Sequence, residues 1–151
     1  MVRHETWPQK GNPMRTLHFG LRVADLEQSL AFYTAVGYEV VGSVPETEFG
    51  HLTMLKLPDD DFVTIELVHD PTKGEVDLGT GLNHFVIKVE SLDATTTELA
   101  AQGIDADTPG SPDGSDDVRT TWISDPDGNR IELVQWPAGH ADGITAADWP
   151  D

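Results

Sequence analysis

An α+β fold built from two βαβββ modules is what this sequence predicts, on three observations. The tetrapeptide Ile-Glu-Leu-Val stands at 65–68 and again at 131–134. The pair His-Phe stands at 18–19 and again at 84–85, so both echoes share an offset of 66 residues. Sliding the chain by that offset also lays 18–40 on 84–106, with Arg22 on Lys88 and Glu27 on Asp93 as like-for-like changes. One offset held over roughly fifty positions without a gap marks a duplicated module.

Within the first copy, residues 17–23 alternate: Leu17, Phe19, Leu21 and Val23 point one way, His18, Gly20 and Arg22 the other. That is the pattern of a half-buried strand. Asp25 follows as a helix N-cap with Gln28 three residues on, a capping-box pattern. Leu26, Leu30, Phe32 and Tyr33 give the helix its apolar stripe, and Gly37 ends it. Ser91 and Gly103 take the same places in the second copy. Strands are expected at 38–44, 50–57 and 62–68, then at 104–107, 118–123 and 130–135. Acidic turns at 58–61 and 125–129 precede the last strand of each copy. The expected architecture is a mixed, eight-stranded sheet or pair of sheets with an open concave face and the two helices outside. The modules are 14–69 and 83–136, joined by a linker at 70–82, in one domain. Residues 1–13 and 137–151 read as loose tails, and Met14 offers an alternative start.

A chain of 151 residues is long enough for one real core. Its formal charge of −18, with nine Lys and Arg, argues against nucleic acid and against anionic membrane surfaces. An anionic substrate would need a local Arg or Lys to overcome the overall field. Without cysteine there is no disulfide framework, thiol nucleophile or thiolate metal site. The N-terminus has no apolar signal region and no apolar run approaches membrane-spanning length, so a cytoplasmic protein is expected.

The strand parities place four side chains on one face. In 63–68, Val63, Ile65 and Leu67 oppose Thr64, Glu66 and Val68; in 130–134, Ile131 and Leu133 oppose Arg130, Glu132 and Val134. If the apolar faces pack under the helices, His18, Glu66, His84 and Glu132 all project from the helix-free side. Taken singly, each His is an ordinary half-buried imidazole and each Glu a solvated strand residue. Jointly, two neutral imidazoles and two carboxylates make a site whose charge a divalent ion neutralises. Nitrogen and oxygen donors without sulfur suit Ni, Co, Zn, Fe or Mn and leave open positions for water or substrate. Arg22 shares the face of His18, where it can hold a substrate carboxylate or sit in a surface ion pair. His51 and His69 have no histidine counterpart in the other copy and lie off this pattern.

At these residues the chain resembles the vicinal oxygen chelate superfamily, and within it glyoxalase I (lactoylglutathione lyase). The resemblance covers roughly residues 14–136 and rests on LHFGLRVADLEQSLAFYTAVGYEV, TIELV, DLGTGLNHFVIKVES and DPDGNRIELVQW. It implies a metal held by His18, Glu66, His84 and Glu132, with Ni or Co ahead of Zn for a short bacterial form. It implies isomerisation of the hemithioacetal of methylglyoxal and a small thiol to a 2-hydroxyacyl thioester through an enediolate. Glu132 would move the proton, with Glu66 its partner. A homodimer is implied as well, with His18 and Glu66 of one chain meeting His84 and Glu132 of its mate, although a site within one chain fits the sequence equally. Two positions depart from the family pattern. Asp70 stands where a substrate-binding Asn is common, and the loop SPDGSDD (111–117) is acidic where a basic residue is expected. Both point to a thiol other than glutathione, or to no thiol. The competing readings are an epimerase acting beside a thioester carbonyl, an extradiol dioxygenase, a thiol-transferring resistance enzyme and a non-catalytic ligand-sequestering protein; Glu66 is surplus to the dioxygenase and resistance-enzyme readings.

Overall fold

The structure, a computed structural model, describes residues 11–112, 114 and 117–149. Its elements follow the expected order: β1 (Phe19–Arg22), α1 (Leu26–Val36), β2 (Glu39–Thr47), β3 (Gly50–Lys56) and β4 (Ile65–His69), then β5 (Phe85–Lys88), α2 (Leu92–Ala101), β6 (Arg119–Ser124) and β7 (Arg130–Gln135). The strands form two mixed sheets, ordered β1-β4-β3-β2 and β5-β7-β6. In each, the first strand of the module runs parallel to the last, and the remaining pairs are antiparallel.

Local chemistry sets the helix ends. The Asp25 carboxylate accepts the Gln28 amide at 3.0 Å, and the Ser91 hydroxyl accepts the Ala94 amide at 3.1 Å. Gly37, at φ 130°, closes α1 by donating to the Tyr33 and Thr34 carbonyls. Such a conformation costs glycine little and any side chain much more.

Seven strands form among the described residues, not eight. The strand expected over 104–107 is absent. There Asp107 donates its amide to the Trp122 carbonyl, and Gly110 makes an isolated bridge with Thr120. The stretch Asp-Ala-Asp-Thr-Pro-Gly-Ser-Pro explains this, because Asp, Gly and Pro are poor strand formers and Pro lacks the ladder N–H. The duplication is also not gapless in space. Met54 stands opposite Glu66 in the first sheet, whereas Trp122, not Thr120, stands opposite Glu132 in the second. The two copies differ in register by two residues because their acidic turns differ in length.

One apolar cluster joins both modules. It takes Leu21, Ile65, Leu67, Ile87, Ile131 and Leu133 from the sheets and Tyr33, Leu92 and Leu99 from the helices. The modules also exchange polar contacts. The Tyr33 hydroxyl of α1 donates to Asp125 Oδ2 at 2.7 Å, and the Ala24 amide donates to Asp127 Oδ1 at 3.1 Å. Asp125 is only 5% exposed and accepts in addition from the Asp127 and Asn129 amides and the Asn129 side chain. Burial and the facing Asp125 carboxylate hold the Tyr33 phenol well above its ordinary range, so it is a permanent donor. Tyr33→Phe should therefore cost about 1–2 kcal/mol, the worth of a hydrogen bond to a charged acceptor that keeps other donors. Calorimetry should show a melting temperature lower by roughly 2–8 °C; an unchanged value would remove this bond as a link between the modules.

After β7 the chain folds back along the second module. Asp142 pairs with Lys88 at 3.0 Å, and the Trp136 indole donates to the Asp142 carbonyl at 2.9 Å. The His140 ring stacks on Trp136 with centroids 4.4 Å apart, and its Nε2 lies 2.6 Å from Asp148 Oδ1.

Candidate metal centre

The parallel register of β1 and β4 builds the first half of the site. Gly20 stands opposite Glu66, so Glu66 shares a face with Gly20, with Arg22 and with His18 just ahead of the strand. The opposite face carries Leu21, Ile65 and Leu67, all buried in the core. His18 Nε2 lies 3.3 Å from Glu66 Oε2, with side-chain exposures of 34% and 18%, so the pair is open to a ligand yet partly sheltered.

The second half repeats this with β5 and β7. Val86 stands opposite Glu132, and His84 precedes β5 on the same parity. Ile131 and Leu133 face the core. His84 Nδ1 lies 2.6 Å from Asn83 Oδ1. An amide oxygen only accepts, so Nδ1 carries the hydrogen and Nε2 keeps its lone pair for a metal. A carbonyl partner of this kind also fixes the ring's orientation, as outer partners of metal-ligating histidines do. The ring meets Trp122 edge-on, with centroids 4.9 Å apart, and the Arg130 guanidinium lies over the same indole at 5.0 Å.

The chain thus brings His18 against Glu66 on one sheet and sets His84 and Glu132 on one parity of the other. Among the described residues no group of three or more His, Asp or Glu is placed to hold one ion. A cleft of about 720 Å³ at the junction of the modules is lined by Phe19, Tyr38, Asp59, Phe85 and Lys88, and by none of the four donors.

The remaining candidates are engaged elsewhere. Arg22 Nη2 donates to the Gly74 and Glu75 carbonyls at 3.2 and 3.0 Å, tying the linker down. Asp70 accepts from the Thr72 amide at 2.9 Å and hydroxyl at 2.7 Å; these bonds hold its carboxyl below the usual carboxylate range. Of the acidic loop 111–117, positions 113, 115 and 116 lie outside the described residues. Sequence reasoning missed Asn83 and Trp122. Neither repeats across the copies, where their counterparts by offset are Leu17 and Lys56. The parity of β6 was the available signal for the face of Trp122, but only the register of the sheet sets it opposite Glu132.

A βαβββ module followed by a βαββ copy of it, each with an imidazole and a carboxylate on one strand parity, defines a class of duplicated proteins. The chain belongs to the Glyoxalase/Bleomycin resistance protein/Dioxygenase superfamily, whose family model matches residues 15–133. It is 34% identical over 124 residues to a probable lactoylglutathione lyase of Vibrio parahaemolyticus, covering 80% of this chain and 90% of that protein. It is 31% identical over 133 residues to a lactoylglutathione lyase of Arabidopsis thaliana, covering 85% of this chain; it spans about half of that relative, 46% of its length. Among solved structures, the trypanothione-dependent glyoxalase I of Leishmania major superposes with a TM-score of 0.66 at 25% identity, over 82% of this chain and 87% of that one. No helix among the described residues is long and apolar enough to cross a membrane.

Proposed function

We propose that the protein is a metal-dependent lyase of the glyoxalase I type, converting the hemithioacetal of methylglyoxal and a small thiol to a 2-hydroxyacyl thioester. The observation that carries this is His18 against Glu66 at 3.3 Å on the helix-free face of the first sheet, with His84 and Glu132 on the matching parity of the second and His84 held in the tautomer that frees Nε2. The similarity to lactoylglutathione lyases supports the same reading.

The functional unit is a homodimer in which His18 and Glu66 of one protomer meet the partner's His84 and Glu132. Surfaces suited to a second copy exist. β2 exposes Val40, Val41 and Val44, and among the described residues the outer edge of β6 carries the Gly110 bridge and the Asp107 amide but pairs with no strand. Such edges and apolar strands favour pairing with another chain.

His18, Glu66, His84 and Glu132 would hold one divalent ion, Ni or Co ahead of Zn. When bound, the ion supplies Lewis-acid polarisation of the two vicinal substrate oxygens. The protein's own residues do the proton work. Glu132 takes the proton from C1 of the hemithioacetal, and a proton returns to C2, so the net change is an isomerisation. Glu66 faces the other side of the substrate. Val86 and Trp122 flank Glu132 on neighbouring strands.

The thiol is less anionic than glutathione. Arg22 is spent on linker carbonyls, Lys88 is paired with Asp142 and Glu90, and the formal charge is −18. Arg130, over the Trp122 indole, is paired with Asp107 at 3.4 Å, so the two carboxylates of a tripeptide would compete with partners these cations already hold.

The experiment is thioester formation from methylglyoxal with several thiols, before and after removal of metal by a chelator. Stripping should lower the rate to roughly a hundredth or less, and adding Ni or Co should restore it. Neutral thiols should outpace glutathione. Fully metal-loaded protein that is inactive with every thiol would reject the lyase reading and favour the epimerase.

A further inference from the structure

His51 and His69 play no part in the centre described above, and the repeat gives neither a histidine counterpart. The structure brings them together. They are register partners at the open end of the β3–β4 ladder, His51 near the start of β3 and His69 at the end of β4. Directly paired residues of antiparallel strands share a face, with Cβ atoms about 4.5–5.5 Å apart. That face is the opposite of the one bearing Glu66, because positions 66 and 69 differ in parity.

Three further observations mark the pair. Both histidines are only partly buried, so their rings are reachable from solvent. Neither imidazole has a hydrogen bond, ion pair or ring contact among the described residues, which leaves four ring nitrogens without protein partners. The backbone beneath them is tightly seated. Gly50, at φ +112°, lies so close that a Cβ there would stand 2.5 Å from the His69 carbonyl oxygen. Only glycine allows that approach, and it fixes the strand carrying His51 against the one carrying His69.

We infer that His51 and His69 form a second, two-imidazole site for a divalent transition ion on the helix-facing side of the first sheet. Two neutral imidazoles this far apart chelate one ion at bonds of about 2.0–2.1 Å, with water completing the sphere. Nitrogen donors without carboxylates select Cu, Ni or Zn over Mg or Ca, with Cu(II) the tightest. A β-bulge sets Pro45 and Glu46 together opposite His51, which adds a negative charge near the outer side of the site. The site is independent of the proposed lyase centre, for it uses none of the same donors and lies on the other face.

The test is to count ions rather than turnover. The full chain, His51→Asn and His69→Asn are dialysed against Zn(II) and against Ni(II), and bound metal is measured per chain. Each variant should lose one ion per chain from whatever total the parent holds, with an unchanged far-ultraviolet spectrum. Variants that keep the parent's count overturn the site, whether or not the lyase centre is filled. A second measurement needs no substitution. Substoichiometric Cu(II) added to the parent chain should broaden the imidazole resonances of His51 and His69 together. Broadening confined to the other histidines overturns the assignment.

Discussion

Glu132→Gln should lower turnover by roughly 10²–10⁴-fold, the span that removing a positioned general base produces. Glutamine keeps the length and shape of the side chain but cannot take a proton, so the effect isolates proton transfer from packing. Glu132 lies on β7 between Ile131 and Leu133, which are buried in the core, and its own side chain points away from it. The substitution therefore leaves the fold intact, and the melting temperature should move by less than about 1–2 °C, as for a substitution away from core and caps. The three other donors remain, so metal should still bind, with reduced affinity. KM should change little while kcat falls, because the lost interaction belongs to the reacting proton and not to ground-state binding. A kcat near the parent's would remove Glu132 as the base and pass that role to Glu66, whose own Gln substitution would then show the large loss.

Much of this molecule was legible in its residues, and the pattern of success is physical. Helix ends were readable because caps are local: an Asp or Ser side chain meets an amide three residues on, and Gly37 and Gly103 follow at the other end. The faces of β4 and β7 were readable because alternation is fixed by the pleat, and the buried Ile65, Leu67, Ile131 and Leu133 follow it. Pairing was harder. Within 104–107 Asp105 and Asp107 weaken the strand, and the two prolines and the glycine downstream complete its loss. The two-residue register difference between the copies was hidden by sequence, since a gapless slide aligns the turns while the sheets align Met54 with Trp122. Contacts between modules were beyond reach as well. Tyr33 and Asp125 lie 92 residues apart, and no local rule connects them. The same applies to Arg22, whose parity was read correctly but whose guanidinium is taken up by a linker that the strand pattern does not describe. Histidines 51 and 69 show the limit most plainly. A reading organised around the repeat set both aside because they break it, and only strand register makes them neighbours.

Mixing two inactive variants should restore activity, and this result would place the centre between protomers. His18→Gln removes a donor of the first half-site and His84→Gln a donor of the second, so each homodimer has both of its centres broken. In a mixed dimer the broken halves fall together at one centre. The other centre then receives His18 from one protomer and His84 from its partner, both intact, and is whole. Random reassortment of equal amounts makes about half the dimers mixed, each with one working centre of two, so about a quarter of parental activity should return. The appearance of activity should follow the rate of subunit exchange and should require the added divalent ion. A centre confined to one chain predicts no recovery at any mixing ratio, because every chain in the mixture lacks one of its own donors. The structure motivates the choice of variants: His18 touches Glu66 at 3.3 Å, Asn83 Oδ1 lies 2.6 Å from His84 Nδ1, and among the described residues no three donors come together. Recovery of activity in trans measures directly whether a second copy completes the centre.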